Sequence, residues 1–343
     1  MSKTATQGGS GRVTIRTVAE DAGVSVAAVS KVLRDAYGVS EALRTKVEAS
    51  IGRLGYRPSV AARGMRGRTY TIGILLIEIS NPFLSLVVDG VNAALGASRY
   101  KALIGLGHSA TAIETTLIES MIDYRMDGLL LIAPRIEGEE LERVAAQIPV
   151  VAVAHHQPDA RAFDTVNSDD RAGAALAVRA MVERGHRDIA FLSYDEAPDH
   201  ATAVGRQREA GYLDAMAQAG LSDRARIIRH GSGGFAPSDP SVFDQLLVAA
   251  DRPRAMVIWS DLFAVPLLNA ARMRGLDVPG DLAIAGYDNS PVGALPLIGL
   301  ASVDQDPGRL GGIAVTLLLD RIEGRTTPEH RLVAPRFVPR GSI

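Results

Sequence analysis

The chain is expected to fold as a small all-α helix-turn-helix head followed by an α/β body of two doubly wound parallel-sheet lobes. Three observations predict this. Three helix-length apolar patterns crowd into residues 13–56, short buried-strand patterns alternate with helical ones from Tyr70 onward, and the two parts differ in charge. Residues 1–69 hold 12 Lys and Arg against 5 Asp and Glu, net +7, which leaves net −9 in the remainder of a chain whose total is −2. A basic module on an acidic body suits phosphate binding, because counterions released from a polyanion drive association.

Residues 1–12 are polar and expected to be a disordered tail. In TIRTVAEDAGVSVAAVSKVL, Thr14 is placed to cap a helix whose apolar face is Ile15, Val18, Ala19 and Ala22. Gly23 supplies the left-handed turn that a residue with a Cβ resists, and Ser25 caps a second helix. There Val29, Val32 and Leu33 face inward, while Val26, Ala27, Ser30 and Lys31 are left outside, on the face that enters a major groove. Ser40 caps a third helix with Leu43, Val47, Ile51 and Leu54 inward, ending at Gly55. Short capped helices occur in many all-helical proteins, so the charge imbalance is what favours a DNA-reading head. Residues 57–69 then read as a hinge: Pro58 presets a helix start and Ser59 can cap it, but the segment is short and Gly64 interrupts it. It is expected to order only on DNA.

The body, 70–343, follows a β-α rhythm. TIGILLIE, YKALIGLG, GLLLIA and VVAVA read as buried parallel strands of one lobe, and DIAFLS, AMVIW and LAIAG as strands of a second. The first lobe is assigned to about 70–166 and 305–325, the second to about 167–304 and 326–343; the chain returns to lobe one as a helix from Pro307 to Glu323 and ends in a strand, LVAPRFV. A ligand cleft belongs between the lobes, at the carboxyl ends of the strands.

Several classes are disfavoured. The N-terminus has no apolar stretch of the kind an export signal needs, and no apolar run approaches about 18 residues, so the expectation is a cytoplasmic protein without membrane contact. No cysteine is present, which excludes disulfides, thiolate metal sites and cysteine nucleophiles. The loop IGLGHSA half resembles a dinucleotide-binding turn, but Ala110 stands where the third glycine belongs. The histidines are scattered in no metal-ligand spacing. No catalytic residues, metal or cofactor are expected, and an enzyme that uses the cleft ranks behind a binding protein.

The wording of the chain resembles the lactose/galactose repressor (LacI/GalR) family of bacterial regulators, from about Val13 to Val338. The matching pieces are the head sequence above, VSEALRTKVEASIGRLGYRPSVAAR, TIGILLIEISNPF, GHRDIAFL, REAGYLDAM and GLDVPGDLAIAGYDN. The resemblance implies a dimeric repressor that reads a palindromic operator, with a periplasmic-binding-protein-like body controlled by a small metabolite, usually a sugar. The candidate DNA contacts are Thr14, Ser25, Val26, Ala27, Ser30 and Lys31 in the head and Ser59, Ala62 and Met65 in the hinge. Met65 stands where relatives mostly wedge a leucine between base pairs, the kinking device of architectural proteins. The candidate effector contacts are Asn81 and Phe83 of the S-N-P-F element, His155, Arg208, Phe235, Ser260, Asp261, and Asp288 of GYDN. The chain departs from sugar-responsive relatives at Ala154, where many carry an aspartate. A sugar or sugar derivative stands first, a nucleoside or a carboxylate-bearing metabolite next, since Arg208 has the fork to grip an anion. A two-lobed solute-binding protein is the alternative, but it leaves Thr14 to Met65 unexplained. A homodimer is expected, without the leucine heptads that make some relatives tetramers.

Overall fold

The structure, a computed structural model, describes residues 13–33, 36–57, 67–194, 203–230 and 243–343. The tail at 1–12 and the hinge candidates Ser59, Ala62 and Met65, together with Phe235, lie outside the described residues. The chain divides into two compact units, Met1–Thr69 and Tyr70–Ile343.

The head contains α1 (Ile15–Asp21), α2 (Val26–Leu33) and α3 (Glu41–Leu54). Each starts on a hydroxyl. Thr14 Oγ1 accepts from Thr17 N at 3.3 Å, Ser25 Oγ from Ala28 N at 3.1 Å and Ser40 Oγ from Leu43 N at 3.3 Å. The helices close on Val18, Ala19, Ala22, Val29, Val32 and Val47, all buried. Asp21 ties α1 to α3, accepting from Ser50 Oγ at 2.6 Å and Arg53 Nη2 at 2.5 Å. Gly55, at φ +61°, ends α3 in the left-handed conformation that glycine adopts without strain.

In the body, sheet one runs β11-β5-β4-β3-β1-β2, where β1 is Thr71–Leu76, β2 Lys101–Leu106, β3 Gly128–Ile132, β4 Val150–Val153, β5 Asp164–Ser168 and β11 His330–Val333. Its strands are all parallel. Helices α4 (Pro82–Leu95), α5 (Thr111–Asp123), α6 (Gly138–Ala145) and α11 (Pro307–Ile322) complete lobe one. Sheet two runs β12-β10-β9-β8-β6-β7, where β6 is Ile189–Tyr194, β7 Arg226–His230, β8 Ala255–Ile258, β9 Ala283–Tyr287, β10 Ala301–Asp304 and β12 Arg336–Val338. Only β12 is antiparallel. Helices α7 (Asp170–Glu183), α8 (Ala203–Gln218), α9 (Asp244–Val248) and α10 (Asp261–Met273) belong to lobe two. No helix among the described residues is long and apolar enough to cross a membrane.

Two details differ from the sequence reading. LVAPRFV is not one strand: Pro335, which has no N–H to donate, falls between β11 and β12, and these join different sheets. Because β11 pairs with β5 from Thr165↔His330 to Ser168↔Val333, lobe one extends to Ser168 and keeps its returning segment to Val333, beyond the expected 166 and 325.

Helix contact in each lobe depends on missing side chains. A Cβ on Gly90 of α4 would lie 2.5 Å from Gly308 O, and one on Gly311 of α11 would lie 2.3 Å from Val87 O. In lobe two a Cβ on Gly211 of α8 would lie 2.0 Å from Arg171 O of α7. Backbone contacts backbone at these points, and no rotamer relieves an added methyl.

Candidate functional sites

The carboxyl ends of β1, β3, β4, β8 and β9 open on a cavity of about 460 Å³ between the two lobes. The chain leaves three of these strands through residues in the left-handed region: Ala133 at φ +53°, Ala154 at +54° and Asp288 at +104°. All three line the cavity. Non-glycine residues held there carry strain, and such positions cluster at functional sites.

Arg208, on α8, is buried at the floor. Its Nε donates to Asp170 Oδ1 at 2.7 Å and its Nη1 to Trp259 O at 2.6 Å, with Asp288 Oδ1 4.0 Å from Nη1. The guanidinium lies over the Tyr287 ring at 3.7 Å and the Trp259 ring at 5.0 Å, which holds the cation against two π faces. Asp170 Oδ2 accepts from His156 Nε2 at 2.7 Å. Burial works to raise the Asp170 pKa, but the Arg208 charge and the His156 hydrogen bond outweigh it and keep the carboxyl below its usual range. At Asp288 burial wins, and its pKa is pushed up to about 7 despite Arg208. Gln305 Nε2 donates to its Oδ1 at 2.7 Å.

Of the expected effector contacts, Asn81, Phe83, His155, Arg208, Ser260 and Asp288 come together around this one cavity. Asn81 and Ser260 are also helix caps, accepting from Phe83 N at 3.0 Å and Leu262 N at 3.1 Å. His155 is held by its backbone N–H, which donates to Asn167 Oδ1 at 2.7 Å, and burial lowers its pKa, favouring the neutral ring. Asp261 does not line the cavity. Its oxygens accept from Ser302 Oγ at 2.7 Å and Ser290 N at 2.6 Å, so the carboxylate knits lobe two together beside a smaller hollow of about 250 Å³. Burial pushes its pKa up to about 6.

The sequence reading missed Asp170 and the role of His156. An aspartate in the first turn of a helix looks like an ordinary dipole-compensating residue, and only the fold brings Arg208, 38 positions away, onto it.

On the head, Thr14, Ser25, Ala27 and Lys31 are exposed, whereas Val26 and Ser30 are half-buried. Val26 leans on the head's own core, which limits the apolar surface it presents outward.

Two family models match the chain: one described as "Bacterial regulatory proteins, lacI family" over residues 14–59, and one described as "Periplasmic binding protein-like domain" over residues 178–343. The chain is 31% identical to catabolite control protein A of Priestia megaterium over 330 residues, 95% of this chain and 97% of that protein. It is 31% identical to the HTH-type transcriptional repressor PurR of Erwinia tasmaniensis over 335 residues, 96% of each. Among solved structures, the transcriptional regulator CelR in complex with cellobiose superposes with a TM-score of 0.69 at 27% identity, over 97% of this chain and 100% of that one.

Proposed function

The chain belongs to the lacI family of bacterial regulatory proteins, and from that premise we propose that it binds a palindromic operator as a homodimer and is controlled by a sugar or sugar derivative held in the cleft between its lobes. It is a transcriptional repressor of that family with a periplasmic-binding-protein-like ligand domain. The family's relatives are regulators, and the cleft is read as a binding site.

The observation that carries the sugar reading is the state of Arg208. Its Nε is committed to Asp170, so the charge is already compensated and the fork that would grip a carboxylate is half taken. Asp288, poised between acid and carboxylate, both donates to and accepts from hydroxyls. Phe83 and Trp259 give the cavity apolar walls. Such a floor suits a neutral polyol better than a free acid. The head supports a dimer because one recognition helix binds weakly, whereas two-fold heads read both half-sites of a palindrome. Edge strand β2 exposes Leu103 and Ile104, apolar surface of the kind that a second copy covers.

The test is a mobility shift on a palindromic fragment from upstream of the gene, with metabolites chosen by thermal shift, since a ligand of the folded state raises apparent stability. A neutral sugar is expected to raise the melting temperature and to change the shift. Asp288→Ala should abolish the response and keep ligand-free DNA binding. No retardation of any such fragment would sink the operator reading, and unchanged sugar affinity in Asp288→Ala would sink the proposed pocket.

A further inference from the structure

His156 and Asp170 lie on either side of the crossover between the two lobes. His156 follows β4 of lobe one, whereas Asp170 is the first residue of α7, where the chain enters lobe two. Their bond, His156 Nε2 to Asp170 Oδ2 at 2.7 Å, is partly buried, with the side chains 13% and 2% exposed. The other oxygen of the same carboxylate holds Arg208 Nε. One carboxylate thus receives a donor from each lobe.

We propose that His156 is a positioning residue that latches lobe one to the Arg208 anchor of lobe two, so that Arg208 takes its orientation in the ligand site only when the two lobes are closed on each other. The bond has a geometric requirement: a carboxylate oxygen accepts, so the imidazole must present its hydrogen on Nε2. Separating the lobes would take that donor from Asp170 and leave Arg208 as its one charged partner among the described residues. Arg208 in turn donates to Trp259 O and lies over both the Trp259 and Tyr287 rings. A change at His156 is therefore passed through two side chains to the cavity wall, with His156 acting on a ligand through the placement of Arg208. An interaction made in only one of two lobe arrangements biases the equilibrium between them, and on this proposal the His156–Asp170 bond is made only when the lobes are closed. The inference rests on the cleft being the effector site, but its test needs neither effector nor DNA and so is decided separately.

Trp259 is the single tryptophan of the chain and lines the cavity beside Arg208, so the full-length protein carries its own reporter. The experiment is acrylamide quenching of Trp259 fluorescence in the wild type, His156→Leu and His156→Gln. Leucine fills much of the imidazole's space without a donor, whereas glutamine restores an N–H at similar reach. The expected result is stronger quenching and a shifted emission maximum in His156→Leu, with both returned toward wild type in His156→Gln. Equal behaviour of the leucine and glutamine variants, or a leucine variant indistinguishable from wild type, would overturn the proposal. Nitrogen-15 histidine spectra of the wild type make an independent check that no misfolded variant can blur: the His156 hydrogen must be found on Nε2, and a ring carrying it only on Nδ1 overturns the latch.

Discussion

Burial disfavours the charged form of a carboxyl group, and in lobe two it pushes the pKa values of Asp288 and Asp261 up to about 7 and about 6. Both lie above the usual carboxylate value near about 4, so each group binds its proton more tightly in the folded chain. The stability this lends is full below about pH 4 and disappears as the pH rises through about 6 for Asp261 and about 7 for Asp288. Asp288→Asn removes one titration and keeps the shape. The melting temperature of wild type minus that of the variant should therefore fall between pH 4 and about 7; a flat difference would contradict the assignment. Arg208→Ala has a different cost, since it leaves Asp170 buried with only His156, and a loss of about 3–5 kcal/mol in urea unfolding is expected. Its effect on ligand response must therefore be read beside Asp288→Ala. On the head, Lys31→Ala should cost about 1–3 kcal/mol on the operator and less on random DNA if Lys31 reads a base edge. An equal loss on both would make it a phosphate contact. Arg208 and Asp288 were legible because the motifs around them resemble a known family, whereas Asp170 has no such flag and its importance arises only from what packs against it.

Elements were legible where apolar periodicity was strong. All three head helices and the strands β1, β2, β3, β4, β6, β8 and β9 correspond to runs read from the chain. β5 was missed for a physical reason. DTVNS is as buried as its neighbours but polar, because Asp164 is satisfied by Arg321 at 2.8 Å and Arg325 at 2.6 Å from the returning segment, and pattern alone cannot see such partners. β7, at a sheet edge with RIIRH, neither alternates in polarity nor offers more than two adjacent apolar residues, so no strand pattern marks it. The α4–α11 pair is where a single methyl should matter most. Gly311→Ala puts a Cβ against Val87 O and Val91 N, and a loss of about 1–3 kcal/mol in chemical denaturation is expected. A neutral result would mean that the helices separate without cost. For the hinge, Met65→Gly should reduce operator bending in a FRET or circular-permutation assay and leave ligand affinity unchanged; undiminished bending would remove Met65 as the wedge.

At the scale of the whole molecule, regulation requires that ligand and operator each change the affinity of the other by the same factor, typically worth about 1–3 kcal/mol. Ligand titrations with and without operator must therefore show equal and reciprocal shifts, and any asymmetry would point to a third species. The lobes also differ from the head in how their parts are spread along the chain. The head's three helices are finished by Leu54, but α4 exposes Val87 and Val91 until α11 is made, and β5 lacks its partner β11 until residues 330–333. On a ribosome adding about 5–20 residues each second, the stretch between α4 and α11 takes roughly 10–40 s. For that time the nascent body has an uncovered apolar face, while the module ahead of it has all the residues its own core needs. A message broken before α11 would thus yield a basic head able to fold on a body unable to, a truncated product whose head is cut off from any control by a metabolite.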